Sequence, residues 1–158
     1  KGTKFNINRQ FYSYDRNQIN LSREKLLPSL NEADSKEWDA RTKTWSGEST
    51  ANEVYLNVWN YDYNWKVEVS ENGNPLNVTK VADYDPLHML GYAYERYRRG
   101  EDAGHLASTV WHLFKVTATS PTSTLEIKVT DCHGNVYTES MKRPKAFKTL
   151  DYGWSKMQ

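Results

Sequence analysis

The sequence predicts a mainly β chain, an immunoglobulin- or fibronectin-like β-sandwich with a short inserted helix, and three observations carry that prediction. Apolar residues alternate at period 2 in several separate stretches. Turn-forming residues, above all Asn72-Gly73, stand between them. One stretch, 86 to 98, instead shows the three- and four-residue recurrence of a helix, opened by Asp85-Pro86 and closed by Gly100.

Residues 1 to 52 are polar and poorly periodic and read as the N-terminal part of the same single domain. Phe5 and Ile7 alternate, and Phe11, Tyr12 and Tyr14 follow, which suits one or two edge strands. Ser22 ahead of residues 23 to 27 offers a helical turn or two, stopped by Pro28. Residues 31 to 50 read as a long connection that lays Trp38 and Trp45 on the domain.

The sandwich core is expected over 53 to 141. Val54, Leu56 and Val58 alternate with Tyr55, Asn57 and Trp59; after Asn60 to Asn64 the pattern resumes with Trp65, Val67 and Val69. The simplest closure is an antiparallel hairpin whose apolar face a second sheet must cover. In that register Trp59 points outward and Trp65 inward. Asn72-Gly73 then turns the chain into a third strand near 75 to 81, since both central positions of the favoured turn need positive φ. In the inserted helix Leu87, Leu90, Tyr94 and Tyr97 recur on one side. Arg96, Arg98 and Arg99 complement the dipole of its last turn. Gly91 weakens its middle by on the order of 1 kcal/mol. Further on, Phe114, Val116 and Ala118 share a face, and Leu125, Ile127 and Val129 alternate with Glu126, Lys128 and Thr130. Residues 131 to 135 form a turn and 136 to 141 the returning strand. From 142 to 158 the chain reads as a basic tail, with Arg143 and Lys145 solvated.

A chain of 158 residues suits one domain. With 21 basic and 20 acidic residues it carries no field that would attract nucleic acid. No apolar run is long enough for a spanning helix, and the lone Cys132 excludes an internal disulfide and reads as a structural thiol. Because the chain opens on Lys1, it is expected to be part of a longer polypeptide with an export signal upstream, in the periplasm or secreted.

His88, His105, His112 and His133 form no HxH, HxxH or HExxH pair, and no GxSxG, Walker or GxGxxG motif occurs. No catalytic, cofactor-binding or metal-binding residue is therefore expected in this chain. The features that invite a partner are Trp59, Tyr61 and Tyr63 at the first tip, and His88, Tyr92, Arg96, Arg98 and Arg99 on the helix.

Four segments in order, VWNYDYNWKVEVSENG (58 to 73), DYDPLH (83 to 88), WHLFKV (111 to 116) and VTDCHGNVYTE (129 to 139), resemble the C-terminal domain of bacterial calcineurin-like phosphoesterases of the Bacteroides type. The resemblance runs over roughly residues 1 to 147, strongest from Val54. It implies a β-rich accessory module without catalysis of its own. Its partner would be the N-terminal catalytic domain of the same polypeptide, which holds the divalent metals, with a phosphorylated or glycan substrate beside it. The Asn-rich first 50 residues depart from the pattern, as does Cys132-His133, where Arg or Lys and an aromatic are expected. Asp131-x-His133 itself resembles the opening of a phosphoesterase metal motif. Two-metal hydrolysis needs several further ligands, and the 25 residues after His133 contain no histidine, so a turn is expected there. The alternative function is a carbohydrate-binding module that uses Trp59, Tyr61, Tyr63 and Trp65 as stacked rings; an independent enzyme comes third.

Overall fold

Eight strands form two four-stranded sheets in the computed structural model, which describes residues 9–101 and 108–148. They are β1 (Phe11–Asp15), β2 (Glu53–Val58), β3 (Lys66–Glu71), β4 (Asn74–Pro75), β5 (Thr79–Asp83), β6 (Val110–Thr117), β7 (Leu125–Thr130) and β8 (Val136–Met141). The orders are β1-β2-β6-β5 and β4-β3-β7-β8. An immunoglobulin-type domain arranges its A-B-E-D and C′-C-F-G strands in this way, so the expected β-sandwich is the observed one. The chain divides into two compact units, the first from the described parts of Lys1–Gln18, Ser49–Val81 and Trp111–Phe147, the second from those of Ile19–Glu48, Ala82–Val110 and Lys148–Gln158.

The core of the first unit joins Val54, Leu56 and Val58 of β2, Phe114 and Val116 of β6, Val69 of β3 and Leu125, Ile127 and Val129 of β7. On β7 the alternation is clean, with Glu126 and Lys128 in water between buried neighbours. Each such aliphatic side chain contributes about 1.5–3 kcal/mol by leaving water.

The expected hairpin between residues 53 and 70 does not form. Val54 pairs with Asp15 on one side and Val116 on the other, whereas Val67 and Val69 pair with Val129 and Ile127 in the other sheet. Residues 59 to 65 carry the chain across. Placed in opposed sheets, β2 and β3 turn their apolar residues toward one another across the core. The next turn is as expected: Glu71 pairs with Asn74, and Asn72 and Gly73 have φ of 52° and 79°. The third strand, however, breaks. Pro75 has no N–H to continue a ladder, and after Leu76 donates to the Val69 carbonyl at 2.8 Å the chain leaves for β5.

Within the basic end Lys142 and Lys148 are exposed as expected and 149–158 lie outside the described residues, but Arg143 and Lys145 are not solvated. Arg143 is buried against Asp15, with Nη2 3.1 Å from Oδ1 and Nε 3.3 Å from Oδ2. Its Nη1 donates to the Ser120 carbonyl at 2.6 Å. The Lys145 amide donates to Asp15 at 3.1 Å, and its ammonium lies 2.6 Å from Glu139. A guanidinium can enter a core when a carboxylate accepts it bidentately and its remaining N–H groups find oxygens.

Residues 31 to 50, of which those up to Glu48 belong to the second unit, are not a plain connection. They contain the helix α2 (Glu32–Arg41), after a short α1 (Arg23–Leu26). Asn31 caps α2 by accepting the Asp34 amide at 2.9 Å, and Lys36–Glu32 and Arg41–Glu37 are i,i+4 ion pairs along it. Trp38 and Trp45 are not laid on a surface; both are fully buried. The Trp38 indole donates to the Leu21 carbonyl at 2.9 Å and that of Trp45 to Tyr84 at 2.7 Å.

The inserted helix follows its signals at both ends. Asp85 accepts the His88 amide at 2.8 Å with Pro86 next, and Gly100, at φ 71°, closes a Schellman turn in which Glu101 donates to Arg96 at 2.9 Å. Between α3 (Pro86–His88) and α4 (Tyr94–Arg98) lies a π-helical turn, Met89–Ala93, around Gly91. The extra residue in that turn shifts the buried line to Met89, Ala93 and Tyr97, leaving Leu87, Leu90 and Tyr94 half-buried. Phe5 and Ile7 lie outside the described residues.

Candidate functional site

Trp59, Tyr61 and Tyr63 lie on the β2–β3 connection of the first unit; His88, Tyr92, Arg96, Arg98 and Arg99 lie on the helix of the second.

In the first group the connection is held by Asp62, whose Oδ1 accepts the Asn64 amide at 2.9 Å while its carbonyl accepts that of Trp65 at 2.9 Å. Such a side chain mimics a backbone turn. Tyr63 is thereby displayed at 84 % exposure. Tyr61 instead turns inward, edge-on to Phe114 at 4.9 Å, with the Lys80 ammonium 4.5 Å over its ring. Trp65 packs on the core and stacks on Tyr137 at 6.4 Å. Trp65 thus faces inward as expected, whereas Trp59 is half-buried and is not the exposed ring that was expected. Strand alternation no longer orients side chains where the chain crosses between sheets. Of the four rings, Tyr61 and Trp65 are thus engaged within the fold, on Phe114 and Tyr137.

The turn at 131 to 135 closes the same end of the sandwich. Asp131 Oδ1 accepts the amides of His133 at 2.8 Å and Asn135 at 2.9 Å; Oδ2 accepts Asn135 Nδ2 at 2.8 Å and the Tyr137 hydroxyl at 3.1 Å. The Asn135 side chain above all, and then these amides, hold the Asp131 carboxyl below the ordinary range, against the opposing effect of burial. Asp131 is thus committed to the turn. Cys132, expected as a structural thiol, is instead exposed, on the turn that Asp131 holds.

A folded-state pKa below the unfolded one stabilises the protein fully above about pH 4 and loses that stabilisation as pH falls through the folded value. Urea midpoints of the natural protein and of Asp131→Ala are therefore expected to converge below about pH 4. The Glu71 carboxyl is also held low: burial opposes its charge, but the Ser123 hydroxyl and Thr119 outweigh it. Glu71 is common to both proteins and cancels. A gap that is as wide at pH 2.5 as at pH 6 would refute the role given to Asp131.

In the second group Arg96 sits 5.9 Å over the Tyr92 ring and His88 lies 5.5 Å from the same ring. Arg98 pairs with Glu95 at 2.8 Å, and Arg96 and Arg99 each reach Glu101 at 3.3 Å. The three arginines thus share two carboxylates within the segment. Two residues that the sequence reading did not single out, Trp111 and Val136, stand 70 % and 51 % exposed at strand starts. Nothing in a period-2 pattern marks which strand end lacks a covering neighbour. Among the described residues, no group of three or more His, Cys, Asp or Glu is placed to hold a metal, and no helix is long and apolar enough to cross a membrane.

Fold and surface define a β-sandwich module of immunoglobulin topology that displays Tyr63 on a loop and Trp111 at a strand start. The chain belongs to the family described as the C terminal of calcineurin-like phosphoesterase, which matches residues 1–137. That match takes in the Asn-rich first 50 residues and Cys132-His133, the two places where the sequence had seemed to depart from the pattern. No curated protein and no solved structure matches the chain.

Proposed function

We propose that the chain is an accessory module without catalysis of its own, which docks on the catalytic domain of a calcineurin-like phosphoesterase and helps to present its substrate. Family membership over residues 1–137 carries this reading. The disposition of the carboxylates supports it: Asp131 and Asp62 hold their turns, and Asp15 is neutralised by Arg143. The divalent metals belong, in this proposal, to the catalytic domain. A sugar platform finds less support, because Tyr61 is covered by Phe114 and Lys80.

The chain by itself is expected to turn over no phosphomonoester or phosphodiester in excess Mn²⁺, Zn²⁺ or Fe²⁺. Metal-dependent turnover that disappears in His133→Ala would overturn the proposal. Activity of the whole polypeptide, compared with that of its catalytic part alone, tests the second half: equal kcat/KM on every substrate would leave the module no part in substrate use.

A further inference from the structure

We infer that the docking face for the catalytic domain is one end of the sandwich, the end formed by the 59–65 connection, the start of β6 and the 131–135 turn. This rests on the accessory-module reading and adds to it a surface within the first unit.

The register brings these pieces together. Asn57 of β2 pairs with Leu113 of β6, so Trp111 lies near the end of β2 from which residues 59 to 65 depart. Lys66 pairs with Thr130, and Thr130 with Val136, so the start of β3, the 131–135 turn and the start of β8 share that end as well. Among the described residues, the large hydrophobic side chains that remain exposed are Tyr63, Trp111 and Val136. All three sit here. A single exposed apolar residue means little, but collection of all of them at one end of a module marks a surface to be covered.

Two further observations select the occupant. Phe11 pairs with Val58, and the Trp59 amide donates to the Gln10 carbonyl at 2.8 Å. The chain therefore comes into β1 from this same end. In a C-terminal family domain the catalytic domain lies on the N-terminal side, and the end at which the described chain enters β1 is the end that carries Tyr63, Trp111 and Val136. The backbone of both loops is also shaped in advance: Asp62 ties one and Asp131 the other through amides accepted at 2.8 to 2.9 Å, which reduces the ordering cost of contact. Intrachain interfaces of this kind bury on the order of 600–1,500 Å² and mix apolar with polar groups.

The test uses the full-length polypeptide with a photo-crosslinking phenylalanine derivative placed, one at a time, at Tyr63, Trp111 or Val136, and separately at Tyr92 or Arg99. All five side chains are at least partly exposed, so the fold should tolerate the change. Peptides of the catalytic domain linked to any of the first three positions are the expected result. Links to the catalytic domain from Tyr92 or Arg99 alone would overturn this face while leaving the docking proposal intact. No link from any position would overturn both. Links from Tyr63, Trp111 or Val136 that join two polypeptides, seen as a doubled mass, would assign the face to a second copy and overturn the inference.

Discussion

Arg143→Ala is expected to lower stability by about 3–5 kcal/mol, the range for removing one partner of a buried ion pair. The side chains of Arg143 and Asp15 have no exposed surface and meet at 3.1 Å. Truncation would leave the Asp15 carboxylate buried with a backbone donor, the Lys145 amide, and would free the Ser120 carbonyl. The cost comes from the stranded charge, so it has a signature. Asp15→Asn combined with Arg143→Met should recover much of the loss, because the second change removes the charge that the first leaves alone. Urea titration of the two single variants and the pair measures this. An Arg143→Ala midpoint within experimental error of the natural protein, or a double variant as weak as the sum of the singles, would refute the account.

Trp38→Ala should cost a similar amount, about 3–5 kcal/mol, by a different route. Trp38 is wholly buried, meets Tyr97 edge-on at 5.9 Å and satisfies the Leu21 carbonyl through its indole N–H. Alanine leaves a cavity and an unpaired acceptor. Trp38→Phe keeps most of the volume and loses the hydrogen bond, so it should cost about 1–3 kcal/mol. Near-ultraviolet circular dichroism with denaturant melts would check both, and a loss below about 1 kcal/mol for alanine would contradict this packing.

What the sequence made legible was local. Asn72-Gly73, the Asp85-Pro86 cap and the Gly100 stop each act within a few residues, and each stands where expected. The alternation of Leu125, Ile127 and Val129 marks a strand with one wet face, and it is one. What was missed is set by distant partners. Nothing in residues 53 to 70 tells whether β2 pairs with β3 or with β1 and β6. Arg143 reads as solvated because Asp15 is 128 residues away. Helix α2 has a single buried residue, Trp38, and hence no apolar stripe to betray it; its caps and i,i+4 pairs were the available signal. On the surface Tyr63 was legible from the turn residues around it, whereas Trp111 and Val136 look like any strand residue until the sheets are assembled. The quoted segments carried the family, because their joint order is rarer than any one of them.

The pairing of Asp15 with Arg143 also sets a schedule. Asp15 is made early and Arg143 late, so during synthesis on the ribosome the finished β1 strand must wait, its carboxylate still in water, until the residues after β8 emerge. Burial of that acid before the charge that neutralises it carries the full cost of a stranded carboxylate. The module should therefore complete itself in one late step rather than strand by strand, and a chain ending at Met141 should be no more stable than Arg143→Ala.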